Sequence, residues 1–191
     1  MKNKVTVKDI ALVGMMVAII EACKFALIAL PNVELTSFWI IVFTLVYRKK
    51  ILFAIPVFVL IEGLIFGFGI WWVAYLYTWP VLALVTMIMS KTKSAIIFAL
   101  ISGTFGLLFG FMCAIPYVFT GANLMSGISI AFSWWVAGIP WDLVHGVSNF
   151  ILTLLLFHPI TKVMKKYLPK NKYKFFGIFL CDLLNFERIN F

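Results

Sequence analysis

Residues 38–66 read FWIIVFTLVYRKKILFAIPVFVLIEGLIF, two apolar runs joined by Arg48-Lys49-Lys50. A basic triplet between two such runs marks a place where a chain turns back at the cytoplasmic face of a membrane. The same punctuation recurs along the sequence. Lys2, Lys4 and Lys8 precede the first apolar run, and Lys91 and Lys93 follow the fourth. A series from Lys162 through Lys165, Lys166, Lys170 and Lys172 to Lys174 follows the last, leaving Lys24 and Arg188 outside the clusters. Roughly 40, 40 and 70 residues separate consecutive clusters, each enough for two crossings of about 20 residues. Each stretch breaks near its middle, at Ala29 to Asn32, Gly67 to Trp72 and Thr120 to Gly127, and no break holds a Lys or Arg. The positive-inside rule then predicts an all-α integral membrane protein with six transmembrane helices and both the N and C termini cytoplasmic.

The composition agrees. A 191-residue chain that is 64% hydrophobic and 12% charged cannot hide its apolar surface in a soluble core, so lipid is its expected solvent. The net charge of +9 then reports orientation, and no nucleic-acid partner is expected. The run after Lys8 is about 22 residues, too long for a cleaved signal's apolar region, and it lacks a small-residue cleavage site. Cys23, Cys113 and Cys181 form no CxxC pair, so neither a disulfide framework nor a zinc site is expected.

The six helices are expected at about Lys8 to Leu30, Glu34 to Tyr47, Ile51 to Phe66, Trp72 to Met89, Ser94 to Ile115 and from Pro140 to Ile160. Glu34 suits the positive end of a helix dipole. Pro56 and Pro80 fall inside helices, which membrane helices tolerate. The last apolar stretch, Ile128 to Ile160, is too long for one crossing. Splitting it at Gly138-Ile139-Pro140 leaves Ile128 to Ala137 as an aromatic external segment, with proline opening the final helix. The six-helix domain thus covers residues 1–168. A basic, then apolar, cytoplasmic or interfacial tail covers 169–191.

Ionisable groups inside a bilayer point to function, because each costs about 2.5–3.5 kcal/mol at a helix centre unless compensated. Here they are Glu21, Lys24, Glu62, Asp142 and His145, with Asn149 beside them. Asp142, His145 and Asn149 are spaced to share one helix face, and Glu21 and Lys24 are spaced to pair. At about 1.5 Å per residue, Glu21 and Glu62 lie about 20 and 17 Å from the cytoplasmic ends of their helices. Asn149 lies about 13 Å below the outer end of its own. Mutual satisfaction between helices is the plainer account; a cavity open to the outside explains the shared depth better.

All seven tryptophans map to the outer half. Some form an interfacial belt, and the rest can offer flat faces to a small planar ligand. The candidate binding residues are Glu62, Trp71, Trp72, Tyr75, Trp134, Trp135, Trp141, Asp142, His145 and Asn149. His158 falls at the cytoplasmic end of the last helix, so no second histidine reaches this region. The sequence has no GxxxxGK[ST], HExxH or GxSxG, so it is read as neither ATPase nor hydrolase, and no cofactor or metal is expected.

On the first helix Gly14, Ala18, Ala22 and Ala26 recur every four residues. Such a stripe lets another helix approach closely, from this chain or from a partner. Gly14, Ala18 and Ala22 are the candidate docking positions.

Together these features resemble the substrate-capture (S) components of energy-coupling factor (ECF) vitamin transporters, over about residues 4–168. The resemblance rests on length, six spans with cytoplasmic termini, the small-residue stripe and the opening Pro140-Trp141-Asp142 of the last helix. A second helix that begins with PNVELTSF also looks like that of such members. Glycine at position 14 replaces one alanine of the family's alanine-xxx-alanine motif. The resemblance implies a multi-pass protein of a bacterial cell membrane that binds a vitamin-like small molecule from outside. It also implies docking through the first helix on a transmembrane coupling protein driven by two ATPase subunits. The acidic inventory favours a ligand with cationic or donor groups. A stand-alone secondary carrier or channel using Glu21, Glu62, Asp142 and His145 is the other reading.

Overall fold

Thr6 starts the first helix. In the computed structural model, which describes residues 6–167, its hydroxyl accepts from the Asp9 backbone N–H while its own N–H donates to the Asp9 carboxylate at 3.1 Å. This capping box satisfies two otherwise orphaned donors. Lys50 reaches the same carboxylate, so the start of α1 (Val7–Ala26) is tied to the turn that carries the basic triplet. That turn is a single 3-10 stretch (Arg48–Lys50) between α2 (Thr36–Tyr47) and α3 (Ile51–Phe66). Gly67 ends α3 at φ +88, a conformation that a side chain would strain. Then come α4 (Ile70–Ile88) and α5 (Ala95–Ala114), which continues as a 3-10 stretch (Ile115–Thr120), and finally α6 (Leu124–Tyr167). No strand occurs among the described residues. The expected tail over 169–191 lies outside them.

Three helices are long and apolar enough to cross a membrane: α4, α5 with its 3-10 extension, and α6. The other three fall short for visible reasons. α1 carries Lys8, Asp9, Glu21 and Lys24 within 20 residues, and α2 and α3 have only 12 and 16. Observed and expected bounds agree closely for α3. α1 stops at Ala26, before the expected Leu30, and α2 starts at Thr36, after the expected Glu34.

The larger correction concerns the last helix. The expected break at Gly138-Ile139-Pro140 does not occur, and Ile128 to Ala137 is helical, part of one 44-residue α6. Proline removes one intrahelical hydrogen bond, but neighbouring contacts hold the helix across that gap. Trp134 stacks on Tyr117 at 5.0 Å and Trp135 lies edge-on to Phe111 at 5.4 Å, both before the proline. Just after it, the Gly110 N–H donates to Asp142 at 3.0 Å. At about 1.5 Å per residue α6 is about 66 Å long, more than twice a hydrocarbon core.

α2 occupies the middle of the bundle, where Ile40, Ile41, Val42, Phe43 and Thr44 are fully buried. Two threonine hydroxyls in this apolar interior bond to the preceding turn: Thr44 donates to Ile40 O at 2.6 Å and Thr86 to Leu82 O at 2.8 Å. α1 stands at the edge, packed on α3 and α2. Lys50 and Asp9 lie at one end of the bundle, hereafter the basic end. The other end holds the cavities.

Candidate functional site

The short α2 shapes the site. Its 12 residues rise only about 18 Å, so the segment leading into it, residues 27–35, lies among the longer helices instead of above them. The segment leaves α1 through turns: Leu30 N–H donates to Leu27 O at 2.8 Å and Val33 N–H to Leu30 O at 3.1 Å. Asn32 takes the left-handed conformation (φ 57), which asparagine tolerates better than most residues. α6 then holds the segment in place. The Ser148 hydroxyl donates to Asn32 O at 3.1 Å, and His145 Nε2 lies 2.9 Å from Glu34 Oε1. Ser37 donates to Glu34 at 3.2 Å and receives from Asn149 Nδ2 at 3.1 Å, completing a polar chain through the bundle.

Two cavities open on either side of Pro31 and Asn32, with Phe109 common to both walls. The first encloses about 360 Å³ among Lys24, Glu34, Glu62, Trp71, Tyr75 and His145. Its floor is charged. Lys24 is ion-paired with Glu62, whose side chain is only 1% exposed. Glu21 is buried beside Glu62, carboxyl against carboxyl. Tyr75 stands over this floor, with Trp71, Trp79 and Phe109 packed around it at 5.0, 5.3 and 6.0 Å between ring centroids. The second cavity encloses about 470 Å³ and is lined by Cys113, Trp134, Trp141 and Asp142. One Asp142 oxygen accepts from Gly110 N–H; the other is buried with no partner among the described residues.

The ten candidate residues are therefore divided. Glu62, Trp71, Tyr75 and His145 line the first cavity, and Trp134, Trp141 and Asp142 line the second. Trp72, Trp135 and Asn149 line neither. The Trp72 indole N–H donates to Val59 O at 2.7 Å, Trp135 lies against Phe111 and Phe132, and Asn149 is buried one turn below His145. Asp142, His145 and Asn149 are all buried along one side of α6, as their spacing predicts. Lys24 pairs with Glu62 in place of the expected Glu21. Glu34 was read as a dipole-facing residue of the second helix; it precedes that helix and faces His145. The depth of Glu34 follows from the shortness of α2, a signal present in the sequence. Phe109 had no such signal among 20 phenylalanines. Among the described residues, no three of His, Cys, Asp and Glu stand close enough to hold a metal ion.

The small-residue stripe faces away from all of this. α1 buries Met16, Val17, Ile20 and Glu21 on one side, while Gly14, Ala18 and Ala22 are exposed on the other. A side chain added at Gly14 would meet nothing within 4 Å.

No protein-family model, curated protein or solved structure matches the chain.

Proposed function

We propose that the chain crosses a bacterial cell membrane six times, with both termini cytoplasmic, and captures a small vitamin-like solute from outside as the S component of an ATP-driven ECF transporter. One observation carries this reading. Lys24, Glu34, Glu62 and His145 converge within an apolar helical bundle on a cavity at the end opposite Lys50, in a surface otherwise suited to lipid. Buried charge of this kind is too costly to keep in a merely structural helix bundle. The outward-facing stripe of Gly14, Ala18 and Ala22 supports a partner at α1, because none of the described residues covers it. The coupling protein and its two ATPase subunits then supply the energy that this chain has no motif to harvest.

A stand-alone secondary carrier is the second reading, favoured by the buried pair of carboxyl groups, Glu21 and Glu62. Energy coupling separates the two. Uptake into vesicles requires the ATPase partners and ATP under the first and only an ion gradient under the second.

The orientation is tested by single-cysteine labelling in a background lacking the native cysteines. Cysteines at Asn32, Gly69 and Asn123 are expected to react with an impermeant reagent on intact cells, and those at Lys49 and Lys91 only after permeabilisation. Reaction of Lys91→Cys on intact cells would overturn the six-span arrangement.

Partner docking is tested by Gly14→Leu and Ala18→Leu. A leucine there projects about 4 Å beyond the helix surface and holds a partner helix away from backbone contact. Both variants are expected to fold normally while co-purification with the coupling protein falls about tenfold or more. Undiminished co-purification would remove the stripe from the interface.

A further inference from the structure

The first cavity already holds a cation of its own. The Lys24 ammonium contacts Glu62 and lies 5.9, 5.1 and 5.7 Å from the ring centroids of Phe58, Phe66 and Tyr75. Three aromatic rings and a buried carboxylate are the surroundings in which proteins hold ligand ammonium groups. Glu21 is buried beside Glu62, carboxyl against carboxyl. The ammonium sits on a side chain 24% exposed at the cavity wall, while the Glu62 that holds it is 1% exposed. Lysine also differs from arginine in the relevant way: its point charge rides a flexible stem and makes no rigid two-toothed clamp.

We propose that Lys24 is a tethered stand-in for a cationic group of the solute. An organic ammonium or ring-nitrogen cation next to a flat ring enters the box formed by Phe58, Phe66, Tyr75 and Glu62, and Lys24 swings out toward the cavity mouth. This rests on the capture reading and narrows its solute to aromatic cations. Exchange of one cation for another keeps Glu62 compensated in both states, so neither the empty nor the loaded protein leaves that carboxylate bare in an apolar interior. It also sets selectivity. An anion of the same shape would meet Glu62 and Glu34 together, a repulsion that adds to the selectivity for cations.

The test uses the full chain purified in detergent, with benzyltrimethylammonium, benzyl alcohol and phenylacetate as probes and tryptophan fluorescence as the readout. In the unmodified protein the cation is expected to bind at least about tenfold tighter than either other probe. Lys24→Met removes the internal competitor and is expected to tighten cation binding about tenfold. Glu62→Gln is expected to weaken it by a similar factor. Equal cation affinity in Lys24→Met would make the Lys24–Glu62 pair a fixed strut and overturn the proposal. Preferential binding of phenylacetate, lost in Lys24→Met, would overturn it by making Lys24 an anion receptor.

Should Lys24→Met fail to fold, the unmodified protein still decides. With its lysines carrying isotopically labelled methyl groups, the Lys24 resonance must move on addition of the cation and stay put with benzyl alcohol. A resonance indifferent to the cation would also overturn the exchange. No partner protein enters these measurements, so a preference for anions would sink cation exchange and leave ATP-driven uptake standing. Failed co-purification would do the reverse.

Discussion

Gly106→Leu is expected to destabilise the purified protein by about 3 kcal/mol, at the upper end of what overpacking costs. A Cβ at this position would lie 2.8 Å from both the Cα and the N of Gly146, and 2.9 Å from the carbonyl carbon of His145. These are backbone atoms, which cannot rotate aside as a side chain can. Gly103 makes the next contact along the same face, where a Cβ would sit 3.0 Å from the Phe150 Cβ. α5 and α6 thus touch backbone to backbone, and van der Waals contact of this kind is what holds helices together where lipid replaces water. The measurement is denaturation in mixed micelles, with Gly14→Leu as the control, expected within about 0.5 kcal/mol of the original because its surroundings are open. Equal stability of Gly106→Leu and Gly14→Leu would show that the α5–α6 contact is not so close.

Breaking the link between Glu34 and His145 should have the second-largest effect. His145→Leu leaves the Glu34 carboxylate low in the bundle without its imidazole partner, while Ser37 still donates to it. Stranding a buried acceptor costs about 1–3 kcal/mol, more when it is charged. Glu34→Leu alone is expected to cost less, because it leaves no carboxylate behind without its partner. With both residues leucine, much of the loss should return, since a hydrophobic pair can replace a buried polar one without stranded charge. A double-mutant cycle on the same denaturation assay should give a coupling energy of about 1.5–3 kcal/mol. A coupling near zero would mean that Ser148 and Asn32, not this pair, hold segment 27–35 down.

The sequence made some of this architecture readable and hid the rest for physical reasons. Arg48-Lys49-Lys50 located the tight turn between α2 and α3, because charge at a membrane surface is a local signal. The face shared by Asp142, His145 and Asn149 was equally local, being set by helix periodicity alone. Pro140 misled. A proline beside a glycine reads as a helix start when only the neighbours in sequence are weighed, yet Tyr117, Phe111 and Gly110 of the adjacent hairpin arm bridge the gap. The Lys24–Glu62 pair was beyond reach for a related reason. Helical spacing proposes Glu21 as the partner, and only the docking of α3 on α1 brings Glu62 nearer. Gly103, Gly106 and Gly146 passed unnoticed because small residues in α5 and α6 report a close crossing only once the two helices are known to face each other.

The brevity of α2 has an electrical consequence. Under the six-span reading, water that fills the cavities reaches down to the start of α2, and insulating material remains mainly along its 12 residues. That is about 18 Å, against about 30 Å for an ordinary hydrocarbon core. A membrane voltage falls across the insulator and hardly at all across electrolyte, so the field along α2 is steeper by about two-thirds than in plain bilayer. A monovalent cation arriving at Glu62 has done little electrical work despite its depth. Nearly all of the roughly 2.3 kcal/mol per 100 mV awaits the step that carries it past α2. With the interior negative, that remaining drop pulls a cation inward and holds an anion back.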